Sequence, residues 1–436
     1  MNIPIPEMLQ RLGIDQLNAM QEKVLETAQT NDQIVVLAPT GSGKTLGFLL
    51  PLLRNMQPET TGVQALVITP TRELALQIEQ VFRAMGTEFK VNTTYGGHSM
   101  KIEKNNFSEP PALLIGTPGR IVDHLNRGNL DLSGVRTLVL DEFDKSLEMG
   151  FQEDTAAILK QLKRARKRLL VSATNLETIP GFTEITNPAT VDFLTNETRG
   201  LTLHKIITDD TEKLYSLVHL LCNLTTEPTL IFCNHRETVE RVSDFMSSAE
   251  IANVFFHGGL EQDERERSLI KFRNGSAYYL VTTDLAARGL DIPNIQHVIH
   301  YQLPHTEDVF IHRNGRTARQ SATGNAYLVM AKTDRQPDYL DAEIPEIELS
   351  EDCPLPEAPV WKTIYIGGGK KDKINKIDVV GFLSKIGQLK QEEIGLISVL
   401  DHSCLVAVKA TKANQVVAKI RDQKIKGKRV KMGIAR

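Results

Sequence analysis

The sequence predicts an α/β chain of two parallel-sheet units followed by a small α+β domain, and three observations predict it. Short apolar runs recur between amphipathic stretches over residues 34–174. After a polar stretch holding Pro180, Gly181 and Pro188, the same alternation restarts and continues to Ala331. Beyond an acidic, Pro-rich segment the order becomes strand, helix, strand, strand, helix, strand. Strands covered by helices on both faces read as unbroken apolar runs, which points to parallel sheets. The length of 436 residues agrees, because it exceeds what one core holds.

In order, IVVLA, ALVIT, ALLIG, TLVLD and LLVSA read as buried strands of the first unit, with TRELALQIEQVFRAM a helix between two of them. TLIFC, ANVFFH, YYLVTT, HVIHY and AYLVMA repeat the pattern, with ETVERVSDFMSS as a helix. The boundary falls near residue 200, giving domains 1–200 and 201–335. DRQPDYLDAEIPEIELSEDCPLPEAP then reads as an extended, self-repelling linker, assigned to 336–359. Residues 360–436 carry WKTIYIG, NKIDVVGFLSKIG, GLISVL, CLVAVKA, NQVVAKIRDQ and RVKMGIA, the βαββαβ order of a split βαβ sandwich.

Composition narrows the class. With 41% hydrophobic and 24% charged residues, the chain reads as a globular protein. MNIPIPEMLQ lacks the basic and apolar regions of a signal peptide, and GFLLPLL is too short to span a bilayer. A cytoplasmic location with no membrane partner is expected. The cysteines Cys222, Cys233, Cys353 and Cys404 have no metal-ligand spacing and read as reduced thiols. The net charge of −3 hides a split: residues 360–436 carry 17 Lys+Arg against 6 Asp+Glu, leaving 34 against 48 for the rest. An acidic body with a basic tail suggests a polyanion held by the tail.

Ala38, Pro39, Thr40, Gly41, Ser42, Gly43, Lys44 and Thr45 follow a strand and open a helix, the context of a phosphate-binding P-loop. Its glycines let backbone N–H groups close around phosphates, and the helix amino terminus adds positive potential. Lys44 can reach the β- and γ-phosphates and the Thr45 hydroxyl can bind Mg²⁺. A P-loop needs an acid on a neighbouring strand. Asp141 ends TLVL where that acid belongs, and Glu142 can orient or deprotonate an attacking water.

Eight segments now stand in order: APTGSGKT, PTRELALQ, TPGR, DEFD, SAT, LIFCN, TTDLAARGLD and HRNGRTAR. Together the series resembles the motifs of DEAD-box RNA helicases of superfamily 2, over about residues 13–330. The tail, KTIYIGGGKKDKI through IKGKRVKMGIAR, is similar to the RNA-binding domain of the DbpA group. The resemblance implies two RecA-like domains, ATP and Mg²⁺ as cofactors, and an RRM-like carboxy-terminal domain. It implies an RNA-dependent ATPase that remodels structured RNA in ribosome biogenesis, with 23S ribosomal RNA or pre-50S particles as partner and no obligate protein partner.

The resemblance also assigns roles to matching positions. Gln21 would read the adenine edge and Asp291 the ribose. Asp141 would hold Mg²⁺ with Thr45, Glu142 would act on water, and Arg316 and Arg319 would stabilise the transferring phosphoryl group. Asp144, Ser172, Thr174 and His312 would link the ATP and RNA sites. RNA backbone would meet Pro70, Thr71, Arg72, Glu73, Gly97, Thr117, Pro118, Gly119, Arg120, Gln262, Arg265, Thr282 and Thr283. Small residues, hydroxyls and Arg suit phosphate and 2′-hydroxyl contacts without base readout.

Three departures stand out. Phe143 sits where the family has alanine; it either fills an apolar pocket beside the sheet, with Leu147 or Phe151, or crowds the site and leaves an RNA clamp with weak turnover. The first is expected, since every chemically required group remains. Pro4 stands about seventeen positions before Gln21, where the family has an adenine-stacking ring. Either looser adenine recognition or a substitute apolar contact would follow. In the tail Tyr365 lies on the first strand, but CLVAVKA has no ring to complete the aromatic pair on which sheet-face RNA binders stack bases. RNA contact is therefore expected from basic loops: Lys370, Lys371, Lys373, Lys424, Lys426, Lys428 and Arg429.

Overall fold

The computed structural model describes residues 4–97, 100–176, 178–194, 201–284, 295–317, 324–340, 343–350 and 352–435. The chain falls into two units that divide near residue 200. No helix among the described residues is long and apolar enough to cross a membrane.

The first unit is a seven-stranded sheet in the order β3-β4-β2-β5-β6-β1-β7. Its strands are β1 (Gln33–Leu37), β2 (Ala65–Ile68), β3 (Val91–Thr94), β4 (Leu113–Gly116), β5 (Thr137–Leu140), β6 (Lys167–Ser172) and β7 (Ala189–Asp192). Every pairing is parallel. One apolar cluster, with Phe48, Leu52 and Phe82, covers one face; another, with Leu138, Phe143 and Leu170, covers the other. The five strands read from sequence are the central ones. The two missed, VNTT and ATVD, are the edges of the sheet, half-polar because one side of each lacks a neighbour.

The second unit holds a six-stranded parallel sheet ordered β10-β11-β9-β12-β13-β8. Its strands are β8 (Leu201–Thr208), β9 (Thr229–Cys233), β10 (Asn253–Phe256), β11 (Tyr279–Thr283), β12 (His297–His300) and β13 (Gly324–Ala331). Here too the strand missed in sequence, β8, lies at an edge. The acidic segment is not free. Leu340 and Ile344 pack with Leu328 and Met330, and Ile347 and Leu349 pack on the core cluster around Ile231. Lys205 N–H donates to the Pro345 carbonyl at 2.9 Å, and Ile347 N–H donates to the Lys205 carbonyl at 3.0 Å. Apolar side chains spaced among the acids anchor the segment while Glu343, Glu346 and Glu348 stay exposed.

The tail forms β14 (Trp361–Ile366), β15 (Ile394–Val399), β16 (Cys404–Lys409), β17 (Lys424–Ile425), β18 (Lys428–Arg429) and β19 (Met432–Ile434). Four of them make an antiparallel sheet, β15-β16-β14-β19, with helices Lys376–Lys385 and Ala410–Ile420 packed on one face through Ile364, Val406, Phe382 and Val416. The opposite face carries Thr363, Leu405 and Ala407, all nearly solvent-free. The turn after helix Gln262–Arg273 covers it. Asn274 Nδ2 donates to Thr363 Oγ1 at 2.9 Å, and Thr363 Oγ1 bonds Ser276 Oγ at 2.8 Å. The missing aromatic pair thus has a physical counterpart: this sheet face packs against protein.

Candidate active site

The predicted residues of the first unit that are not on the first helices gather at the carboxyl ends of its parallel strands, where open α/β sheets bind ligands. The P-loop follows β1, Pro70–Glu73 follow β2, Gly97 follows β3, Thr117–Arg120 follow β4, Asp141 follows β5, and Ser172 ends β6.

The P-loop turns through Gly41 and Gly43, at φ 84° and 82°. That left-handed backbone strains a side chain at either position. At Gly43 a Cβ would also lie 2.5 Å from Gln21 Nε2. Lys44 opens helix Lys44–Arg54, and its ammonium donates to the carbonyls of Ala38 (2.6 Å) and Pro39 (3.2 Å). Asn18 and Gln21 form a capping box on helix Ala19–Thr30 and then grip the loop. Asn18 Nδ2 donates to Ser42 O at 2.9 Å and Gln21 Nε2 to Gly43 O at 3.0 Å. Sequence reasoning missed Asn18. Its signal was the Asn-x-x-Gln spacing of a capping box.

Pro4 lies elsewhere. With Ile5 and Met8 it lines an apolar cavity against Leu50, Leu53 and Arg54, at the far end of helix Lys44–Arg54. At 1.5 Å of rise per residue, that is about 13 Å along the helix from Lys44. Pro4 therefore packs toward the end of this helix remote from the P-loop.

Asp141 continues β5, its N–H donating to Ile68 O at 2.9 Å. Burial, and then the adjacent Glu142 carboxylate, push its pKa up to about 7, against the pull of Lys44. Glu142 sits at φ 45°, left-handed and not glycine. Such a conformation costs of order 1–3 kcal/mol and clusters at functional sites. A buried carboxylate whose ionisation a bound cation would favour, together with the Thr45 hydroxyl of the P-loop, is a hard-oxygen donor set that fits Mg²⁺. No cluster of three His, Cys, Asp or Glu suited to a metal occurs among the described residues. Asp141 and Thr45 would thus hold Mg²⁺ together with nucleotide phosphates and water.

Phe143 points away from this chemistry. It is 1% exposed, belongs to the cluster with Leu140, Leu170 and Ile185, and meets Phe182 at a centroid distance of 6.3 Å. Leu147 packs against the same cluster, as expected; the ring partner is Phe182 rather than Phe151. Asp144 turns to β6 instead: Thr174 Oγ1 donates to its Oδ2 at 2.9 Å, while Ser172 Oγ bonds the Thr174 backbone.

Among the backbone-contact candidates, Arg72 is turned inward. Its guanidinium lies 4.7 Å from the Tyr95 ring centroid and donates to Gly96 O at 3.2 Å. It shapes the Gly96–Gly97 turn: Gly97 has φ 95°, and a Cβ there would lie 2.7 Å from Arg72 Nη1. Thr71 caps helix Arg72–Ala84. Glu73 and Pro70 flank it, Glu73 half-buried and Pro70 buried. Thr117 precedes helix Pro118–Asn126, Gly119 is exposed, and Arg120 Nε donates to Glu103 Oε2 at 2.9 Å.

In the second unit, Thr282 and Thr283 end β11 and are buried. Gln262 opens helix Gln262–Arg273 and bonds Glu266, and Arg265 lies over the Phe256 ring at 5.1 Å. His312 Nδ1 meets Asp308 O at 2.7 Å and Arg316 is buried. Arg319 and Asp291 lie outside the described residues. The residue sequence reasoning missed here is Arg313. Its guanidinium forks onto Asp284 at 2.6 and 2.8 Å and bonds Asn234 Oδ1 and Gln302 O, joining LIFCN, TTD and HRNGR. Its position inside HRNGRTAR was the available signal.

In the tail, Lys426 pairs with Asp378 and Lys428 with Asp372, each at 2.9 Å, and Lys371 lies 3.4 Å from Asp401. The acids Asp372 and Asp378 have lowered pKa values because of those lysines. Lys370, Lys373, Lys424 and Arg429 are exposed.

Comparison with known proteins agrees with this geometry. The DEAD/DEAH box helicase profile matches residues 18–179, the helicase conserved C-terminal domain 212–321, and the DbpA RNA binding domain 363–434. The chain is 32% identical to the ATP-dependent RNA helicase DbpA of Bacillus subtilis, covering 98% of this chain and 96% of that one. It is also 32% identical to DbpA of Escherichia coli, over 96% and 94%. Among solved structures, S. cerevisiae Dbp5 bound to RNA and ADP BeF3 matches at TM-score 0.69 and 25% identity, covering 78% of this chain and 93% of that one. Mss116 bound to ssRNA and UDP-BeF matches at the same score and identity, over 80% and 79%.

Proposed function

The chain belongs to the DEAD-box family of ATP-dependent RNA helicases, of the DbpA type, and from that premise we propose that it remodels 23S ribosomal RNA during large-subunit assembly in the cytoplasm. The observation that carries the ribosomal part is the DbpA RNA binding domain over residues 363–434, on a chain aligned with two DbpA proteins almost end to end. The basic balance of that tail supports an RNA anchor.

In the ATPase step, the P-loop backbone and Lys44 bind phosphates; Asp141 and Thr45 would hold Mg²⁺, whose charge would offset that of the phosphates. Glu142 orients the attacking water. The Asp144–Thr174 bond ties this end of the sheet to the SAT segment, so rearrangement around the phosphates reaches the RNA-facing loops. Phe143 lies in the core, which supports full turnover over an RNA clamp.

The test is steady-state ATPase activity of the full chain without RNA, with a generic RNA and with a 23S rRNA fragment. Selective stimulation by the ribosomal fragment, lost on deleting residues 360–436, is expected. Equal stimulation by both RNAs would overturn the ribosomal assignment and leave the helicase.

A further inference from the structure

Glu103 carries the densest set of contacts that neither the motif series nor the ATPase chemistry explains. It lies in helix Met100–Asn106, directly after the Gly96–Gly97 segment, and is 5% exposed. A single oxygen, Oε2, receives three partners. Thr94 Oγ1 donates to it at 2.7 Å, Arg120 Nε at 2.9 Å, and His124 Nε2 stands at 2.6 Å. His124 is fully buried; its Nδ1 faces Asn129 Nδ2 at 3.5 Å and its ring meets Phe107 edge-on. Glu103 Oε2 thus faces a buried imidazole and a guanidinium at once.

We propose that Glu103 is a positioning residue for RNA-backbone binding: its buried carboxylate fixes the Gly96–Gly97 turn and the Thr117–Arg120 loop as one surface. The proposal rests on the reading that these two segments meet RNA. Three elements converge on the carboxylate, since Thr94 ends β3, Glu103 belongs to the helix after the turn, and Arg120 and His124 belong to helix Pro118–Asn126. The backbone repeats the connection, with Thr117 N–H donating to Thr94 O at 3.1 Å. The strand ends are so close that a Cβ on Gly116 would lie 2.6 Å from Thr94 O.

The chemistry argues for orientation over bulk stability. A buried ion pair is no more stabilising than apolar residues of the same size, but it fixes direction. Glu103 holds Arg120 by Nε, the nitrogen next to the aliphatic stem, which sets the plane of the whole guanidinium. Asp123 Oδ2, more exposed, lies 3.7 Å from Arg120 Nη1 and steadies it from the other side. A planar fork presented in a fixed plane is what bidentate phosphate recognition needs.

The test compares the full chain with Glu103→Gln, Arg120→Ala and the double variant. The readouts are the RNA concentration for half-maximal ATPase stimulation, kcat at saturating RNA, and the salt dependence of RNA binding. Glu103→Gln should raise the half-maximal RNA concentration about five- to twentyfold with kcat within about twofold, as loss of binding geometry without loss of chemistry requires. It should leave the salt slope unchanged, whereas Arg120→Ala should reduce that slope by about one, as for a lost phosphate contact. The double variant should match Arg120→Ala alone. Wild-type RNA dependence in Glu103→Gln, or additive effects in the double variant, overturns the positioning role. If Arg120→Ala itself leaves RNA dependence and slope unchanged, the reading of the loop as an RNA contact fails, and the proposal with it. Glu103→Asp, which keeps the charge and shortens its reach, should fall between wild type and Glu103→Gln. It serves as the decisive variant if Glu103→Gln fails to fold.

Discussion

Thr174 Oγ1 donates to Asp144 Oδ2 at 2.9 Å, joining the segment after β6 to the helix that follows Asp141 and Glu142. A hydrogen bond to a carboxylate contributes roughly 1.5–3 kcal/mol. Thr174→Val keeps the shape and removes the donor. Duplex unwinding is expected to fall about tenfold or more, with a smaller loss of RNA-stimulated ATPase, measured on the same RNA duplex. Equal losses in both would make the bond merely structural.

Phe143→Ala removes a ring that is fully packed. The expected cost is about 3–5 kcal/mol of stability, read from urea unfolding. Turnover per folded molecule should stay near wild type, because the ring faces Phe182 and not the carboxylates. A large rise in turnover would show that the ring restrains the site.

Asp141 links stability to pH. Its pKa is pushed up to about 7, above the usual carboxylate value, so the folded state binds this proton more tightly than the unfolded chain does. The favourable contribution is complete below about pH 4 and is lost as pH rises through about 7. Asp141→Asn should therefore be more stable than the native chain at pH 8, by on the order of a few kcal/mol and with a higher melting temperature, and gain much less at pH 5. Mg²⁺-ATP should reverse the order at pH 8, by stabilising the native chain more than the variant. A uniform shift across pH would sink this account.

Arg313 is among the largest fully buried side chains of the described residues. Arg313→Lys keeps charge but cannot fork onto both oxygens of Asp284. Breaking a buried pair of this kind costs about 3–5 kcal/mol. Thermal unfolding monitored in the second unit should show that loss. Arg313→Lys with wild-type stability would mean the network is dispensable.

Docking of the tail rests on Thr363, bonded to Asn274 and Ser276. Thr363→Val leaves their polar groups unpaired at a cost of about 1–3 kcal/mol. Amide hydrogen exchange in β14 and β16 should speed up while exchange in helix Ala410–Ile420 holds. Unchanged exchange would mean that apolar contact around Trp361 suffices.

The fold was legible where the core imposed a pattern. Central strands such as ALVIT and TLIFC are buried on both faces and had to be apolar, whereas VNTT and ATVD lie at sheet edges and carried no such pattern. The phosphate site was legible because P-loop chemistry needs Gly41, Gly43, Lys44 and Thr45 at fixed spacing. Glu103 and Arg313 were not, since their partners lie far away in sequence and only the fold brings them together. Arg72 was legible as a candidate for phosphate by its type, whereas its contact with the Tyr95 ring appears only in the fold. The acidic segment hid its anchors because its charge outweighed four spaced apolar residues.

The bond between that segment and Lys205 has a practical meaning for truncation. β8 is an edge strand, and an uncovered edge is a template for strand addition by another chain. Pro345 and Ile347 occupy its hydrogen-bonding groups at Lys205, and Leu340 and Ile344 cover Leu328 and Met330. A chain ended at residue 335 would keep every helicase motif and lose this sheath, so aggregation would confound its kinetics. Ending it at residue 359 keeps the edge closed, which makes the second cut the better isolated motor.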